Sequence, residues 1–392
     1  MTVPSGLTEG PIYLDHNATT PVDPRVLDAC LPYLVRHFGN PSSTHPYGQT
    51  ARAAVDSARV AVADLIDATP EEIVFTGGGS ESDTLALRGA ALAHRDRGQH
   101  VITQATEHPA VLSTMNALRR LYGFRVTVLP VDQHGLVDPA DLANALADDT
   151  VLVSIMHANG ETGSVQPIRA LADLTHARGA LFHTDASQTL GKIGVSVREL
   201  GVDLLTVTGH KMYAPKGIGA LYVHTGLDLE PAVYGGGQER GVRSGTENVA
   251  MIVALGHAAR LALEETPMPH QLRDLLHQRL TESLPDRVLL NGHPSHRLPN
   301  TLNVSITGTS GRAVLAATPD IAASTGSACH EGIDHPSPVL TAMGLSSDRA
   351  SAAIRLSLGR WTTDHDITRA ATALVAAAEI SAGAAAGSDA RR

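Results

Sequence analysis

The sequence predicts an α/β protein with a mostly parallel central sheet, accompanied by a smaller α+β domain. Short apolar runs alternate with amphipathic segments of helical period through roughly the first two thirds of the chain. This alternation is typical of a parallel sheet that is covered by helices on both faces. After about residue 248 it gives way to helices mixed with isolated strands. With 392 residues, of which 43% are hydrophobic, the chain is long enough for both units.

Seven apolar runs are predicted to be the strands of the central sheet, and helical segments lie between several of them. The strands are expected at residues 72–76, 100–103, 126–131, 151–156, 181–185, 204–208 and 218–223. The helices are expected at residues 51–66, 80–93, 110–121 and 168–178. Because crossovers between parallel strands are right-handed, the carboxyl ends of the strands meet at one edge of the sheet, where ligands usually bind.

The C-terminal third is predicted to form most of the smaller domain. A long helix is expected to end near Glu265, because Thr266-Pro267-Met268-Pro269 interrupts its pattern. Helices are then expected at residues 270–284 and 364–380, and strands at 301–306 and 354–358. We expect a large domain over residues 16–262, a small domain over residues 1–15 and 263–380, and a disordered Ala/Gly-rich tail at 381–392.

Charge and composition restrict the classes of function. The chain has 30 Lys and Arg against 40 Asp and Glu, a net charge of −10, so we expect no direct binding to nucleic acid or to an anionic membrane. No apolar stretch is long enough to span a bilayer, and the first ten residues lack the pattern of a secretory signal. Cys30 and Cys329 lie too far apart in sequence to suggest a disulfide framework. The sequence therefore predicts a soluble, cytoplasmic protein.

A glycine-rich motif lies where the first predicted strand meets a predicted helix. In Thr76-Gly77-Gly78-Gly79-Ser80 the glycines let a ligand approach the backbone, and the N–H groups of a helix start attract an anion. Ser80 could donate its hydroxyl to a phosphate. The alternative is a tight turn in which Ser80 only caps the helix. The motif has neither the Lys of a P-loop nor the spacing of a dinucleotide-binding fingerprint.

Two later strands end in a carboxylate and an amine. Asp185 ends the run 181–185, and Lys211 follows the run 204–208. Taken singly, Asp185 could cap a strand end and Lys211 could be a solvated loop residue. Together with an anion-binding helix start they form the set that pyridoxal phosphate requires: an acid for the ring nitrogen, an amine for the aldehyde and a cradle for the phosphate.

Three further residues carry expectations about reactivity or burial. Cys329 lies in a small, polar stretch that favours a reactive thiol over a structural one, whereas the apolar neighbours of Cys30 predict a core residue. Arg355 lies in an alternating apolar run, where it needs an anion: a substrate carboxylate or a buried internal partner. The sequence has neither HExxH nor GxSxG, so it gives little support to a metal site or to a serine nucleophile.

Several motifs occur in an order that is similar to a known family. They are LDHNATTP at 14–21, NPSS at 40–43, TEH at 106–108, HANGETG at 157–163, GGGQERG at 235–241, RSGT at 243–246 and GSAC at 326–329, together with the Asp185 and Lys211 motifs. Over about residues 12–370 the chain resembles cysteine desulfurases of the NifS/IscS type, which are class V aminotransferases of PLP fold type I. The resemblance implies that fold, pyridoxal 5'-phosphate as cofactor and a homodimer.

The resemblance also implies roles for individual residues. Lys211 would bind the cofactor aldehyde, Asp185 its ring nitrogen and Gln188 its phenolic oxygen. His108 would stack on the ring and is a candidate to relay protons. The phosphate contacts would be Gly79, Ser80, Thr208 and His210 of one subunit with Thr246 of the other. The substrate contacts would be Asn17, Asn159 and Arg355.

Cys329 would be the nucleophile that accepts sulfur, on a mobile loop. Its 26-residue spacing to Arg355 resembles the subgroup with the longer loop. The activity implied is conversion of L-cysteine to L-alanine, with a persulfide formed on Cys329 and passed to an acceptor protein of unknown identity. The alternatives are a related PLP-dependent lyase, transaminase or selenocysteine lyase, and a partner-dependent sulfur-relay subunit with low turnover alone.

Overall fold

The computed structural model describes residues 2–326 and 336–389, with side chains to residue 382. Its strands are β1 (Ile12–Tyr13), β2 (Ile73–Thr76), β3 (His100–Gln104), β4 (Arg125–Leu129), β5 (Thr150–Ser154), β6 (Leu181–Asp185), β7 (Leu204–Thr208), β8 (Gly219–Val223), β9 (Val288–Leu290), β10 (Thr301–Ile306), β11 (Ile321–Ala322) and β12 (Ala353–Ser357).

The helices surround these strands. They are α1 (Ser5–Thr8), α2 (Pro24–Cys30), α3 (Pro32–Val35), α4 (Pro46–Leu65), α5 (Gly79–Ala93), α6 (Pro109–Tyr122), α7 (Pro139–Ala145), α8 (Ile168–His176), α9 (Val197–Leu200), α10 (Val249–Glu265), α11 (Gln271–Ser283), α12 (Gly311–Ala316), α13 (Pro338–Ala342), α14 (Ser347–Ser351) and α15 (Asp364–Asp389). Within the residues described, no helix combines the length and the apolar character that a membrane span requires.

The central sheet has seven strands in the order β2-β8-β7-β6-β5-β3-β4. Strand β8 is antiparallel to both of its neighbours, and the other pairs are parallel. Each of the seven apolar runs in the sequence corresponds to one of these strands, so the predicted α/β class with a mostly parallel seven-stranded sheet is confirmed.

Helices cover both faces of the central sheet, and alternate side chains of a strand pack against the two helix layers. Ile73 and Phe75 of β2 join an apolar cluster with α4, α8 and α10, whereas Val74 between them joins a second cluster with α5 and α6. Successive side chains of a strand point to opposite faces, so a fully apolar strand needs a helix layer on each side. Cys30 is buried in the first of these clusters, as its neighbours predicted.

A separate apolar cluster lies in the C-terminal part of the chain. It joins Leu14 to buried side chains of α11, of α15 and of the antiparallel sheet β12-β10-β9. The N-terminal segment reaches this cluster because β1 pairs in parallel with β11. This grouping supports the expected division into residues 16–262 on one side and residues 1–15 with 263–380 on the other, and we propose that division.

Two helices differ in length from the prediction. Helix α4 begins at Pro46 rather than at residue 51, because His45 caps it by accepting the Gly48 N–H on Nδ1 and Pro46 suits the first turn. Helix α15 continues to Asp389, whereas a disordered tail was expected from residue 381. This segment is rich in Ala, which has the highest helix propensity, and contains no Pro.

Candidate active site

A cavity of about 570 Å³ opens at the carboxyl edge of the central sheet. It brings together most of the site residues that the sequence predicts: Asn17, Gly79, Ser80, His108, Asn159, Asp185, Gln188, Thr208, His210, Lys211 and Arg355. Thr246 is exposed and does not line this cavity. Cys329 lies outside the described residues.

The glycine motif forms one wall of the cavity. Gly78 has a φ of 141°, which a side chain would disfavour, and α5 begins directly after it at Gly79. A Cβ atom on Gly79 would lie 2.3 Å from Thr208 Oγ1, so the strand and the helix start approach each other only because residue 79 has no side chain. Ser80 is the second residue of α5 and makes no cap, so the alternative role as an N-cap is wrong. The first N–H groups of a helix have no partner within the helix and favour an anion, so this wall suits the phosphate that the sequence predicts.

Hydroxyl and imidazole groups from neighbouring loops complete this wall. Thr208 Oγ1 lies 2.6 Å from Ser187 Oγ, and His210 Nδ1 lies 3.1 Å from Thr19 Oγ1. Burial, together with Lys211 and Lys216, lowers the pKa of His210 to about 4, so its ring is neutral at pH 7. Ser187 was not predicted from the sequence, although its place two residues after a strand-end carboxylate was a usable signal.

The amine and the carboxylate lie at the ends of adjacent strands. Lys211 Nζ donates to the main-chain oxygens of Asn17 and of Ala18, the latter at 2.7 Å, so Lys211 is not a solvated loop residue. Asp185 is 8% exposed, and its Oδ1 accepts the Ser187 N–H at 2.9 Å. The side chain therefore makes the turn contact of a strand-end cap and also lines the cavity.

His108 lies on a third wall, where α6 begins. It is the N-cap of that helix, and its Nδ1 accepts the Ala110 N–H at 3.1 Å. Because Nδ1 accepts this bond, a neutral His108 ring carries its proton on Nε2.

Two buried acids of the cavity were not predicted. Asp83 lies on α5 one turn after Ser80, and burial, with a smaller effect of Asp185, raises its pKa well above the usual range. Burial raises the pKa of Glu107 to about 8, although the Met156 N–H donates to its Oε1 at 2.6 Å. With a pKa of about 8, the Glu107 side chain holds a proton at neutral pH. The helical spacing from Ser80 and the TEH motif were the signals that could have identified them.

Arg355 of β12 also lines the cavity and already has a partner. It is 3% exposed, and its Nη2 donates to Asp15 Oδ1 at 2.6 Å. Ser324 Oγ donates to the other oxygen of Asp15 at 3.1 Å. The internal ion pair that the sequence left open is therefore present, while Arg355 also lines the cavity.

The two asparagines expected at the substrate hold main-chain segments together. Asn159 Oδ1 accepts the N–H groups of Glu161 and Thr162, each at 2.9 Å. Asn17 Nδ2 donates to Gly160 O at 3.0 Å and to Thr301 Oγ1 at 2.8 Å. These contacts fix the loop after β5 against the N-terminal segment, and a direct contact with substrate stays a prediction for both.

Comparison with known proteins adds an independent finding. The family model described as aminotransferase class-V matches residues 12–370. A cysteine desulfurase IscS of Anaeromyxobacter sp. (strain Fw109-5) is 48% identical over 363 residues, which cover 91% of this chain and 90% of the relative.

Solved structures agree with this assignment. A NifS-like protein aligns with a TM-score of 0.86 and 35% identity, over 94% of this chain and 99% of that chain. SspA in complex with cysteine aligns with a TM-score of 0.80 and 36% identity, over 90% of this chain and 99% of that chain.

Proposed function

The chain belongs to the class V aminotransferase family, and from this premise we propose that it is a PLP-dependent L-cysteine desulfurase. The observation that carries the proposal is the convergence of Lys211, Asp185 and the start of α5 on one cavity. An amine, an acid and an anion cradle at the same edge of the sheet match the three functional ends of pyridoxal 5'-phosphate.

The described residues fit this cofactor. Lys211 would hold the aldehyde and Asp185 the ring nitrogen. The N–H groups at the start of α5, with Ser80, Thr208 and His210, would hold the phosphate, and the absence of a Cβ atom on Gly79 lets the Thr208 hydroxyl approach this helix start. When bound, the cofactor supplies an electron sink for negative charge on the α-carbon of an amino acid. His108 would cover the ring face and relay protons, and Gln188 would contact the phenolic oxygen.

We infer that L-cysteine is the substrate. Support comes from the similarity to a named cysteine desulfurase and to a protein whose solved structure contains cysteine. Arg355, held by Asp15, would meet the substrate carboxylate with its remaining N–H groups, beside Asn17 and Asn159.

Cys329 would take the sulfur atom as nucleophile. The Cβ–S bond of the substrate breaks, and an S–S bond forms on Cys329. L-Cysteine and a protein thiol thus become L-alanine and a protein persulfide, a balance that needs no external oxidant or reductant. The persulfide would then pass to an acceptor protein, whose identity the sequence does not predict.

We also propose that the protein is a homodimer that contacts neither nucleic acid nor membrane and is located in the cytoplasm. Thr246 is exposed and lies away from its own cavity, which suits a residue that reaches the phosphate of a second subunit. Ser42 and Gln238 line a common pocket, so the Thr246 loop runs close to the segment that follows α3. In and beside this segment the rings of Phe38 and Tyr47 are stacked, and the two residues are 69% and 60% exposed. Exposed apolar surface of this kind is typical of protein interfaces.

The activity is tested with the purified protein, L-cysteine and dithiothreitol, with alanine and sulfide quantified together. The wild type is expected to form both in equal amounts, and Cys329→Ser and Lys211→Ala are each expected to form neither. Sulfide release that survives Cys329→Ser would instead indicate a simple PLP lyase. A keto acid without sulfide would indicate a transaminase, and activity only after addition of a partner would favour the relay subunit.

A further inference from the structure

Lys192 is a buried lysine to which the proposed mechanism gives no role. Its side chain is 5% exposed, and in the part of the chain that the structure describes it forms no ion pair. Its Nζ donates to three oxygen atoms instead: Gln188 O at 3.0 Å, Gln188 Oε1 at 3.0 Å and Asn17 Oδ1 at 3.4 Å. Three acceptors match the three N–H bonds of an ammonium group. Burial, together with the charges of Lys211 and Arg355, lowers the pKa of Lys192, and the three oxygen acceptors are the contacts that favour its protonated form.

The backbone after β6 places this lysine beside Gln188. The Thr189 N–H donates to Ala186 O, and the Lys192 N–H donates to Thr189 O, so two successive turns follow Asp185. Gly191 has a φ of 71°, which reverses the chain just before Lys192. The proximity of Nζ to the Gln188 carboxamide therefore depends on these turns.

The ammonium group decides which way the Gln188 carboxamide faces. Lysine only donates hydrogen bonds, so it selects the oxygen of the amide and excludes the flipped orientation, which would place NH₂ against NH₃⁺. With Oε1 held by Lys192, the Nε2 amide group lies on the other side and donates to Asn17 O at 3.1 Å. Lys211 Nζ contacts this same carbonyl oxygen. Nε2 of Gln188 therefore lies on the side of the amine that would hold the cofactor.

The facing loop leaves room for this orientation. A Cβ atom on Gly160 would lie 2.7 Å from Gln188 Nε2 and 3.1 Å from its Cδ. The absence of a side chain at residue 160 thus lets the amide reach the cavity wall, while Lys192 holds its other end.

We propose that Lys192 is a positioning residue that fixes the Gln188 carboxamide so that Nε2 donates to the phenolic oxygen of the cofactor. This inference rests on the proposed function. The ammonium group also polarises the amide to which it donates, which makes the Nε2–H a stronger donor. Lys192 thereby acts on the cofactor through Gln188 and not by contact.

The test is a double-mutant cycle with Lys192→Met, Gln188→Ala and the combined variant. The readout is the pH at which the visible absorption band of bound pyridoxal phosphate titrates in the full-length protein. Each single variant is expected to raise this midpoint, by about one pH unit, because the phenolic oxygen loses a donor. The combined variant is expected to shift it no further than the larger single change, because both remove the same hydrogen bond.

The conservative change Lys192→Arg keeps a group that only donates, and is expected to keep the midpoint close to that of the wild type. An unchanged midpoint in Lys192→Met would overturn the proposal. Additive shifts in the combined variant would also overturn it, because they would indicate a direct effect of charge on the cofactor.

Thermal unfolding without cofactor shows whether Lys192→Met folds. If it does not, Lys192→Gln takes its place. Its amide can present either end to Gln188, so a midpoint between wild type and Gln188→Ala is expected, and a wild-type midpoint overturns the proposal. A wild type that binds no pyridoxal phosphate would contradict the proposed function and this inference with it. A wild type that binds it and forms alanine, with a titration insensitive to Lys192→Met, would contradict only the role of Lys192.

Discussion

Glu107 and Glu72 are two buried glutamates whose pKa values are shifted in opposite directions. Burial raises the pKa of Glu107 from 4.5 to about 8. Burial acts on Glu72 as well, but hydrogen bonds from Thr69 and Thr225 outweigh it and lower the pKa of that carboxyl. The folded state therefore favours the proton on Glu107 and the charge on Glu72.

We expect Glu107→Gln to stabilise the protein increasingly as the pH rises. The contribution of Glu107 to stability is complete below pH 4.5 and is lost as the pH rises to about 8, where the unfolded chain is ionised and the folded chain resists ionisation. Between pH 5 and pH 8.5 the free energy of unfolding of the wild type should fall by about 4 kcal/mol relative to that of the variant. The measurement is the free energy of unfolding of the cofactor-free protein at both pH values.

Glu72→Gln is the matched control with the opposite sign. The charged form of Glu72 stabilises the fold above pH 4.5, so the variant should be less stable than wild type at neutral pH, and the difference should vanish in acid. A Glu107→Gln difference that is equal at pH 5 and 8.5 would show that the pKa of Glu107 is not raised.

Gly79 carries a second prediction about a single residue. In Gly79→Ala the Thr208 hydroxyl must turn away from the new methyl group, because the two atoms would be 2.3 Å apart. That movement breaks the 2.6 Å contact with Ser187 and displaces a phosphate ligand. Because one hydrogen bond to the phosphate is lost, we expect Gly79→Ala to bind pyridoxal phosphate about tenfold more weakly. Equilibrium titrations of the cofactor-free protein measure this affinity.

Two further variants test the cause of that loss. Gly194→Ala adds the same methyl group at an exposed position with open space around it, and should bind the cofactor like wild type. Thr208→Ser added to Gly79→Ala frees the hydroxyl to rotate and should recover part of the affinity. Full affinity in Gly79→Ala alone would contradict the tight approach of α5 and β7.

The residues of the site differ in how far the sequence could predict them. Asp185 and Lys211 could be predicted, because strand ends of a parallel sheet meet at one edge whatever the details of packing. Lys192 was missed, since its position depends on the turns after Asp185, whereas the helical spacing from Ser80 could have identified Asp83. The partner of Arg355 was left open, because Asp15 reaches it only in the folded chain, through its bridge to Ser357 of β12.

Among the elements, the loop between β8 and α10 is held in an unfavourable backbone conformation by one glutamate. Glu239 and Arg240 have φ values of 44° and 56°, which side chains rarely adopt. Glu239 Oε1 lies 2.6 Å from Arg59 Nη2 of α4, and its Oε2 accepts the Phe75 N–H of β2 at 2.9 Å. Thr246 follows on the same loop, so this contact places the residue expected to reach the second subunit.

We expect Glu239→Ala to lower the free energy of unfolding by about 3 kcal/mol, because it leaves the largely buried Arg59 without a carboxylate. Adding Arg59→Met should restore part of the loss, since it removes the uncompensated charge. Denaturant titrations measure both. Asp173→Ala, which breaks the exposed pair with Arg169, should change stability by about 0.5 kcal/mol or less. Equal effects of Glu239→Ala and Asp173→Ala would contradict the role of Glu239 as an anchor.

Strands of the central sheet could be predicted from their apolar composition. Short strands and the start of one helix could not, because they depend on contacts with distant or capping residues. The seven strands of the central sheet were found because each is a short run rich in apolar residues, and all but the edge strand β4 are largely buried. Strands β1, β9 and β11 have two or three residues each, too few for a periodic signal. The start of α4 depended on the His45 cap, which apolar periodicity does not show.

At the scale of the whole molecule, the proposed role of Thr246 as a phosphate ligand requires a second chain at each site. Each cavity holds its own Lys211 and Gln188, whereas Thr246 is exposed outside it. A second copy related by a two-fold axis would place each Thr246 at the cavity of the other subunit, because a two-fold interface is reciprocal. The homodimer would then be required for cofactor binding and not only for stability.

Mixed dimers test this arrangement. Lys211→Ala and Thr246→Ala chains are co-expressed with different tags, and total alanine formation is measured. If Thr246 serves the other subunit, every mixed dimer has one site with an intact Lys211 and an intact Thr246. Random pairing then gives about a quarter of the wild-type sites, although each parent is impaired alone. If Thr246 serves its own subunit, both sites of a mixed dimer are damaged and mixing gains nothing.

A second pairing supplies the control. Lys211→Ala mixed with Gln188→Ala should recover nothing, because both residues line the cavity of the same chain and each subunit of the mixed dimer lacks one of them. Recovery of activity in this control would indicate that Lys211 and Gln188 of one chain serve the sites of different subunits. It would contradict the assignment of the cavity to a single subunit. If activity recovers in the mixture with Thr246→Ala and not in the mixture with Gln188→Ala, both results are explained by a dimer in which each Thr246 contacts the phosphate of the other subunit.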